Sequence, residues 1–145
     1  MSPDLLFSLA NGLAVPGWIA LALAPLAPRA ADRFAGVVLP GAFCALYTVL
    51  IAVHFAEAPG GFGTLREVQE LFTDADVALA GWIHFLAFDL FVGAWIVRDA
   101  RARGVAHWMV LPILPLAFLL GPAGLLCWLA LRILLSNPTP QGDLP

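Results

Sequence analysis

Two titratable side chains, Asp89 and His84, stand inside an otherwise apolar run from about Val77 to Val97. A carboxyl and an imidazole are the commonest general acid and general base, so this segment is the first place to look for proton transfer. At 100° per helical residue their directions differ by about 140°, which rules out a direct pair on one helix face. Trp82, Phe85 and Asp89 share one face; His84, Phe88, Phe91 and Trp95 share another. Counted at 1.5 Å per residue, Asp89 lies about 18 Å from the start of its run, near the middle of a hydrocarbon layer of about 30 Å. An ionised carboxylate there costs roughly 2.5–3.5 kcal/mol on insertion scales. Asp89 is therefore expected to be partnered (with Tyr47 as the interhelical candidate), protonated, or facing a polar cavity. The same arithmetic puts His84 and Asn11 roughly 10 Å deep and Tyr47 about 14 Å deep from the same surface, with His54, Glu57 and Arg132 close to its edge. The polar groups gather in one half of the bundle, which suggests a pocket opening toward that leaflet. Catalytic candidates are Asp89 and His84; substrate-binding candidates are Asn11, Tyr47, Trp82, Phe85, His54 and Glu57.

The elements that carry these residues must be membrane helices. Of 145 residues, 61% are hydrophobic and only 12% charged, with a mean hydropathy of +0.91, whereas soluble domains carry about 25% charged residues. A net charge of −3 without a basic run argues against nucleic acid. All seven basic side chains are arginines, so a retinal Schiff base, which needs a lysine amine, is excluded. Cys44 and Cys127 sit in separate apolar runs and provide neither a disulfide framework nor a multi-cysteine metal site. The three histidines lack ligand spacing, so no metal is expected.

Four apolar stretches approach the roughly 20 residues that a crossing needs, at about 5–27, 34–56, 77–97 and 108–135. The fold class expected is all-α: a single polytopic domain over residues 1–136 with four transmembrane helices, followed by a flexible tail over 137–145. Ala22-Leu23-Ala24 has the look of a cleavage site, but the basic region of a signal peptide is missing, so the first stretch reads as a retained helix. Pro112, Pro115 and Pro122 interrupt the fourth stretch; one kinked span is the simpler reading. Arg29, Arg33, Arg98, Arg101 and Arg103 lie in the loops joining spans one to two and three to four, against Arg66 and Arg132 on the other side. The positive-inside rule then puts both termini outside the cytoplasm, in what reads as a bacterial inner membrane. Trp18, Trp82, Trp108 and Trp128 suit interfacial positions. Ala10, Ala14, Gly17, Ala20 and Ala24 form a stripe for close helix packing.

The middle loop, Glu57 to Asp76, opens on a glycine-rich turn. Thr64 and Glu67 then have capping-box spacing. Leu65, Val68, Leu71 and Phe72 follow at helical intervals, which predicts a short amphipathic helix lying on the membrane or capping the bundle as a lid.

The strings Gly60-Gly61-Phe62-Gly63-Thr64-Leu65, Leu71-Phe72 and Ala80-Gly81-Trp82-Ile83-His84-Phe85-Leu86-Ala87-Phe88-Asp89-Leu90-Phe91-Val92-Gly93 resemble the neoxanthin-synthase-like membrane family. That family is also called abscisic-acid-deficient-four-like. Leu6-Phe7-Ser8-Leu9-Ala10-Asn11 and Phe118-Leu119-Leu120-Gly121-Pro122 extend the resemblance to the first and last spans. The compact chain resembles the prokaryotic branch. Plant members are required to form neoxanthin, an allenic carotenoid, from the epoxide violaxanthin. The resemblance thus implies a membrane-embedded isomerase acting on a carotenoid or related isoprenoid lipid, without a redox cofactor. Asp89 would be the acid, His84 the base, and Tyr47 and Asn11 would orient the oxygen. The expected partners are membrane lipid, a hydrophobic isoprenoid substrate and a second copy in a homodimer. A non-catalytic carotenoid- or lipid-binding subunit assisting a partner enzyme is an alternative reading, and a small transporter is another. The apolar half of the bundle counts against the transporter.

Overall fold

The computed structural model describes residues 2–135, all of whose regular elements are helical; the tail expected over 137–145 lies outside them. Helix α1 is Pro3–Ala22 and α2 is Pro28–Arg33, continued through a π-helical turn, Phe34–Val38, into α3, Leu39–His54. In the middle loop α4 is Leu65–Leu71, and the long α5 is Ala75–Ala102. A 3₁₀ turn at His107–Met109 precedes α6, Ile113–Leu119, and α7, Gly121–Leu135.

Helix ends follow local chemistry. Ser2 caps α1 through its side-chain oxygen, with Pro3 at the first helical position, where the missing N–H costs nothing. The Asp74 carboxylate accepts from the amides of Asp76 and Val77 at 3.0 Å and starts α5. Gly104, at φ +69°, ends it, with the Val105 amide donating to the Ala100 carbonyl. The π turn has a cause: Pro40 cannot donate to the Gly36 carbonyl, so the ladder widens there. Gly36 in that turn leaves room for the Arg98 guanidinium, since a Cβ would sit 2.5 Å from its Nη1. Arg98 in turn lies 6.0 Å over the Phe91 ring.

Helix α5 is the hub. Phe7 and Asn11 meet Trp82, Gly17 meets Leu90, and Trp18 packs on Gly93, so α1 runs parallel to α5. Tyr47 faces His84 while Gly36 faces Ala94 and Arg98, so α3 runs antiparallel. The small-residue stripe forms the α1 seam: Ala10, Ala14, Gly17 and Ala24 are buried with Trp18 and Leu21, and Ala20 is partly so. Trp18 therefore belongs to the core and not to an interface.

Three segments are long and apolar enough to cross a membrane: Pro3–Ala22, Pro28–His54 and Ala75–Ala102. The expected fourth span is not one. The stretch 108–135 divides into two shorter apolar helices; even α7, at 15 residues, rises only about 22 Å, short of a hydrocarbon layer of about 30 Å. Leu120, at φ −143° and ψ 66°, breaks the chain just before Gly121 and Pro122. Pro122 lacks the N–H that would continue the α6 ladder, and its ring would strike the carbonyl four residues back. Gly124 then lets α7 fold onto α6, because a Cβ there would lie 2.4 Å from the Ala117 Cα.

The pair is a helical hairpin that enters and returns at the same end. His107 Nε2 sits 2.9 Å from the Ala22 carbonyl at its base, and the Phe118 ring meets Trp18 at a tilt further in. Gly121 at the tip touches Asp89. Trp128 and Arg132 then come back to Asp99, further along α5 toward Arg101. Arg132 therefore lies at the end that holds Arg98, Arg101 and Arg103, not at the opposite edge as its position in a crossing helix would require. Among the described residues, the start of α1 and the end of α7 consequently lie at opposite ends of the bundle. Trp128, fully buried against Asp99, is no interfacial anchor either.

Candidate functional site

The break at Leu120–Pro122 places the hairpin tip against Asp89. Together with α1 and α5 it shapes a groove of about 360 Å³ lined by Asn11, Trp82, Phe85, Asp89, Phe118 and Gly121, among others. The volume falls in the range of roughly 300–1,000 Å³ usual for small-molecule sites. The groove is mostly apolar and has three polar fixtures. Asn11 donates from Nδ2 to the Phe7 carbonyl at 2.8 Å and accepts at Oδ1 from the Trp82 indole at 3.1 Å. An indole only donates, so this contact fixes which end of the amide faces Trp82. One N–H of Asn11 remains uncommitted. Asp89, part-buried, presses so closely on Gly121 that a Cβ there would stand 1.8 Å from Oδ1. Among the described residues its carboxyl has no hydrogen-bonding side chain.

His84 lies on the other side of α5. It stacks on Phe88 at 4.5 Å between centroids and meets Tyr47 at 5.6 Å. Tyr47, Phe55, Phe62, Phe72, His84 and Phe85 contribute to a second hollow of about 210 Å³. The middle loop walls this hollow and not the Asp89 groove: Phe62 stacks on Phe55 at 5.3 Å, and Leu71 of α4 is buried beneath. The loop is folded back by Gly60, whose φ of +82° and close approach to the Glu67 carbonyl exclude a side chain. Thr64 Oγ1 accepts from the Glu67 amide at 3.2 Å, and the Glu67 carboxylate accepts from the Gly63 amide at 2.9 Å, a capping box displaced by one residue.

The sequence-derived candidates thus form two groups. Asn11, Trp82, Phe85 and Asp89 come together; Tyr47 and His84 form the second set, with Phe85 as the wall between them. Tyr47 pairs with His84 and not with Asp89. His54 and Glu57 belong to neither groove. His54 Nδ1 lies 3.7 Å from an Asp76 carboxylate oxygen, joining the end of α3 to the start of α5, and the Glu57 amide closes the turn on the His54 carbonyl. No group of three or more potential metal ligands occurs among the described residues.

Comparison with known proteins bears on the same segment. The sequence profile of the ABA DEFICIENT 4-like proteins matches residues 5–128. The chain belongs to that family. No curated protein and no solved structure matches it. The ABA DEFICIENT 4-like region runs from α1 through the hairpin to Trp128, so it contains both grooves and the break that lines the Asp89 groove.

Sequence reasoning missed Gly121, Pro122 and Phe118 as groove residues and Asp99 as an anchor. Asp99 Oδ2 accepts from Arg103 Nε at 2.9 Å and from Trp128 Nε1 at 3.1 Å, with Arg132 at 3.8 Å. Pro112, Pro115 and Pro122 suit a kink in one span, and nothing in the periodicity gives a break or the direction of the chain after it.

Proposed function

We propose that this ABA DEFICIENT 4-like protein is a membrane-embedded enzyme of the isomerase type, acting by acid–base chemistry on a carotenoid or related isoprenoid lipid. The observation that supports it best is the convergence of Asp89, Asn11 and Trp82 on one largely apolar groove. A largely apolar lining suits a polyene, and a few polar groups at one end suit an oxygen-bearing end group. A neighbouring, almost wholly apolar hollow of about 260 Å³ between α1 and α6 shares Phe118 with the groove and offers continuation for a long chain.

Opening an epoxide to an allenic alcohol requires a proton on the epoxide oxygen and loss of a proton from the polyene, with no net change in electrons. In the proposed step the Asp89 carboxyl, in its acid form, gives its proton to the oxygen as the C–O bond breaks. The C–H electron pair forms the new double bond, and the released proton returns to the carboxylate. The free N–H of Asn11 orients the oxygen. One carboxyl then serves as acid and base in one groove. His84 would act as the base only on a substrate that reaches around Phe85, which makes it the weaker candidate.

The six arginines at one end, Arg29, Arg33, Arg98, Arg101, Arg103 and Arg132, stand against Arg66 alone at the other. On the positive-inside rule that end faces the cytoplasm, in a bacterial inner membrane for the prokaryotic branch, with the start of α1 outside.

The test is to express the protein, Asp89→Asn and His84→Gln in a carotenoid-producing bacterial host and to separate lipid extracts by chromatography with mass detection. An isobaric product made by the native chain and by His84→Gln but not by Asp89→Asn is the expected result. Pigment that copurifies unaltered with both the native chain and Asp89→Asn would instead favour a binding subunit.

A further inference from the structure

We infer that the arginine-rich end holds an anionic-phospholipid headgroup site, built where the α1–α2 turn meets the C-terminal end of α5, that takes a phosphodiester with no cationic group attached. Two hollows adjoin there. The larger, about 610 Å³ and shallow, is lined by Ala27, Pro28, Arg29, Ala30, Asp32 and Arg101. The smaller, about 250 Å³, lies between Pro25, Val97, Gly104 and His107 and shares Pro28 and Arg101 with the first. Arg101 is thus the wall between them, reachable from both sides.

The donors fit a phosphate. Arg101 commits one terminal nitrogen, Nη2, to the Asp32 carboxylate and keeps its other N–H groups uncommitted. Arg29 makes no ion pair with any described residue. His107 uses Nε2 at the Ala22 carbonyl. Two guanidiniums against one carboxylate leave a single positive charge in excess, which matches the single negative charge of a phosphodiester. Guanidinium forks, unlike ammonium groups, present paired N–H donors to phosphate oxygens.

The surroundings favour a lipid over a free anion. Leu26, 81% exposed, and Trp108, 70% exposed, project from the two chain segments that flank the hollows. Tryptophan at the end of an apolar segment marks the headgroup boundary, so a phosphate held at Arg29 and Arg101 would leave its acyl chains beside these side chains. Basic hollows between helices on the arginine-rich side of membrane proteins are suited to such headgroups.

The full-length protein in neutral detergent tests this by thermal unfolding with added short-chain phosphatidylglycerol, phosphatidylcholine of the same chain length, or inorganic phosphate. Phosphatidylglycerol is expected to raise the unfolding midpoint more than the other two. Arg29→Gln should weaken its binding about fivefold, the value of one basic residue near an anionic surface. Arg101→Gln should do the same. Arg66→Gln at the opposite end should leave binding unchanged. If loss of the Asp32 partner unfolds Arg101→Gln, the Arg29→Gln comparison decides alone. Equal stabilisation by phosphatidylcholine overturns the assignment, as does full reproduction of the effect by inorganic phosphate. An Arg66→Gln loss as large as that of Arg29→Gln also overturns it, because diffuse charge would then suffice.

Discussion

Gly121 offers the sharpest test of how the hairpin tip and Asp89 are fitted together. An alanine there would place its Cβ 1.8 Å from Asp89 Oδ1 and 2.6 Å from Cγ, where ordinary carbon contacts need about 3.5 Å. Either the carboxyl swings off its rotamer, at about 0.5–1.5 kcal/mol, or the tip lifts from α5, an overpacking cost of about 1–3 kcal/mol. The backbone itself raises no objection, because among the described residues the positive-φ positions are Gly60 and Gly104. In a compatible backbone Gly→Ala stabilises by about 0.4–1 kcal/mol through the unfolded chain. The cycle therefore has a predicted change of sign. Gly121→Ala in the native background should destabilise by about 1–3 kcal/mol. In the Asp89→Ala background the three nearest atoms are gone, and the same substitution should be neutral or mildly stabilising. Thermal unfolding of the four proteins in one detergent measures the coupling directly. Equal destabilisation in both backgrounds would show that the tip does not rest on the Asp89 carboxyl, and the groove geometry would have to be redrawn.

Two further outcomes follow from the hairpin. With Arg132→Cys and Arg29→Cys placed singly in a Cys44→Ala, Cys127→Ala background, a membrane-impermeant maleimide should label both from the same side and Arg66→Cys from the other. Labelling of 132 together with 66 would restore a fourth crossing. Asp99→Asn weakens three contacts at once, those to Arg103, Trp128 and Arg132, and should lower stability by about 1.5–3 kcal/mol, the range for hydrogen bonds that involve a charged group. An unchanged unfolding midpoint would mean that apolar packing alone keeps α7 on α5.

Much of this was legible from residue types. Apolar lengths gave the three segments long and apolar enough to cross a membrane, and the shared face of Trp82, Phe85 and Asp89 emerged as one wall of the groove. Thr64 and Glu67 announced the start of α4. What could not be read was relative placement. Depth arithmetic put Tyr47 nearly level with both His84 and Asp89, and only the rotation of α3 decides that it meets His84. Asn11 and Trp82 lie at matching depths, but their hydrogen bond depends on α1 running parallel to α5 with its small-residue seam turned inward. The largest departure, the fourth stretch, arose because hydropathy measures length without direction. Pro115 is accommodated within α6 while Pro122 coincides with a break, and the difference lies in Leu120, Gly121 and Gly124, whose backbone fit becomes visible only against Asp89 and Ala117.

The break itself carries a functional implication. Irregular backbone at mid-depth is tolerated in a membrane only where it is buried in protein or lines a cavity, since unsatisfied amides and carbonyls cost several kcal/mol in hydrocarbon. Leu120 is itself exposed but meets the second condition: it lines the Asp89 groove, and its carbonyl accepts from Ala123 and Gly124. An uninterrupted fourth helix would have satisfied the backbone more simply, but a straight helix would bring side chains where Gly121 now admits the Asp89 carboxyl. The hairpin therefore exchanges regular hydrogen bonding for a short, close-fitting tip beside an acidic group in the middle of the bundle. A fold that keeps such an exchange, with Asp99 clamping the returning helix and Gly124 allowing the two halves to touch, is organised around the groove at Asp89. His84, held against Phe88 and Tyr47 across α5, sits outside that arrangement.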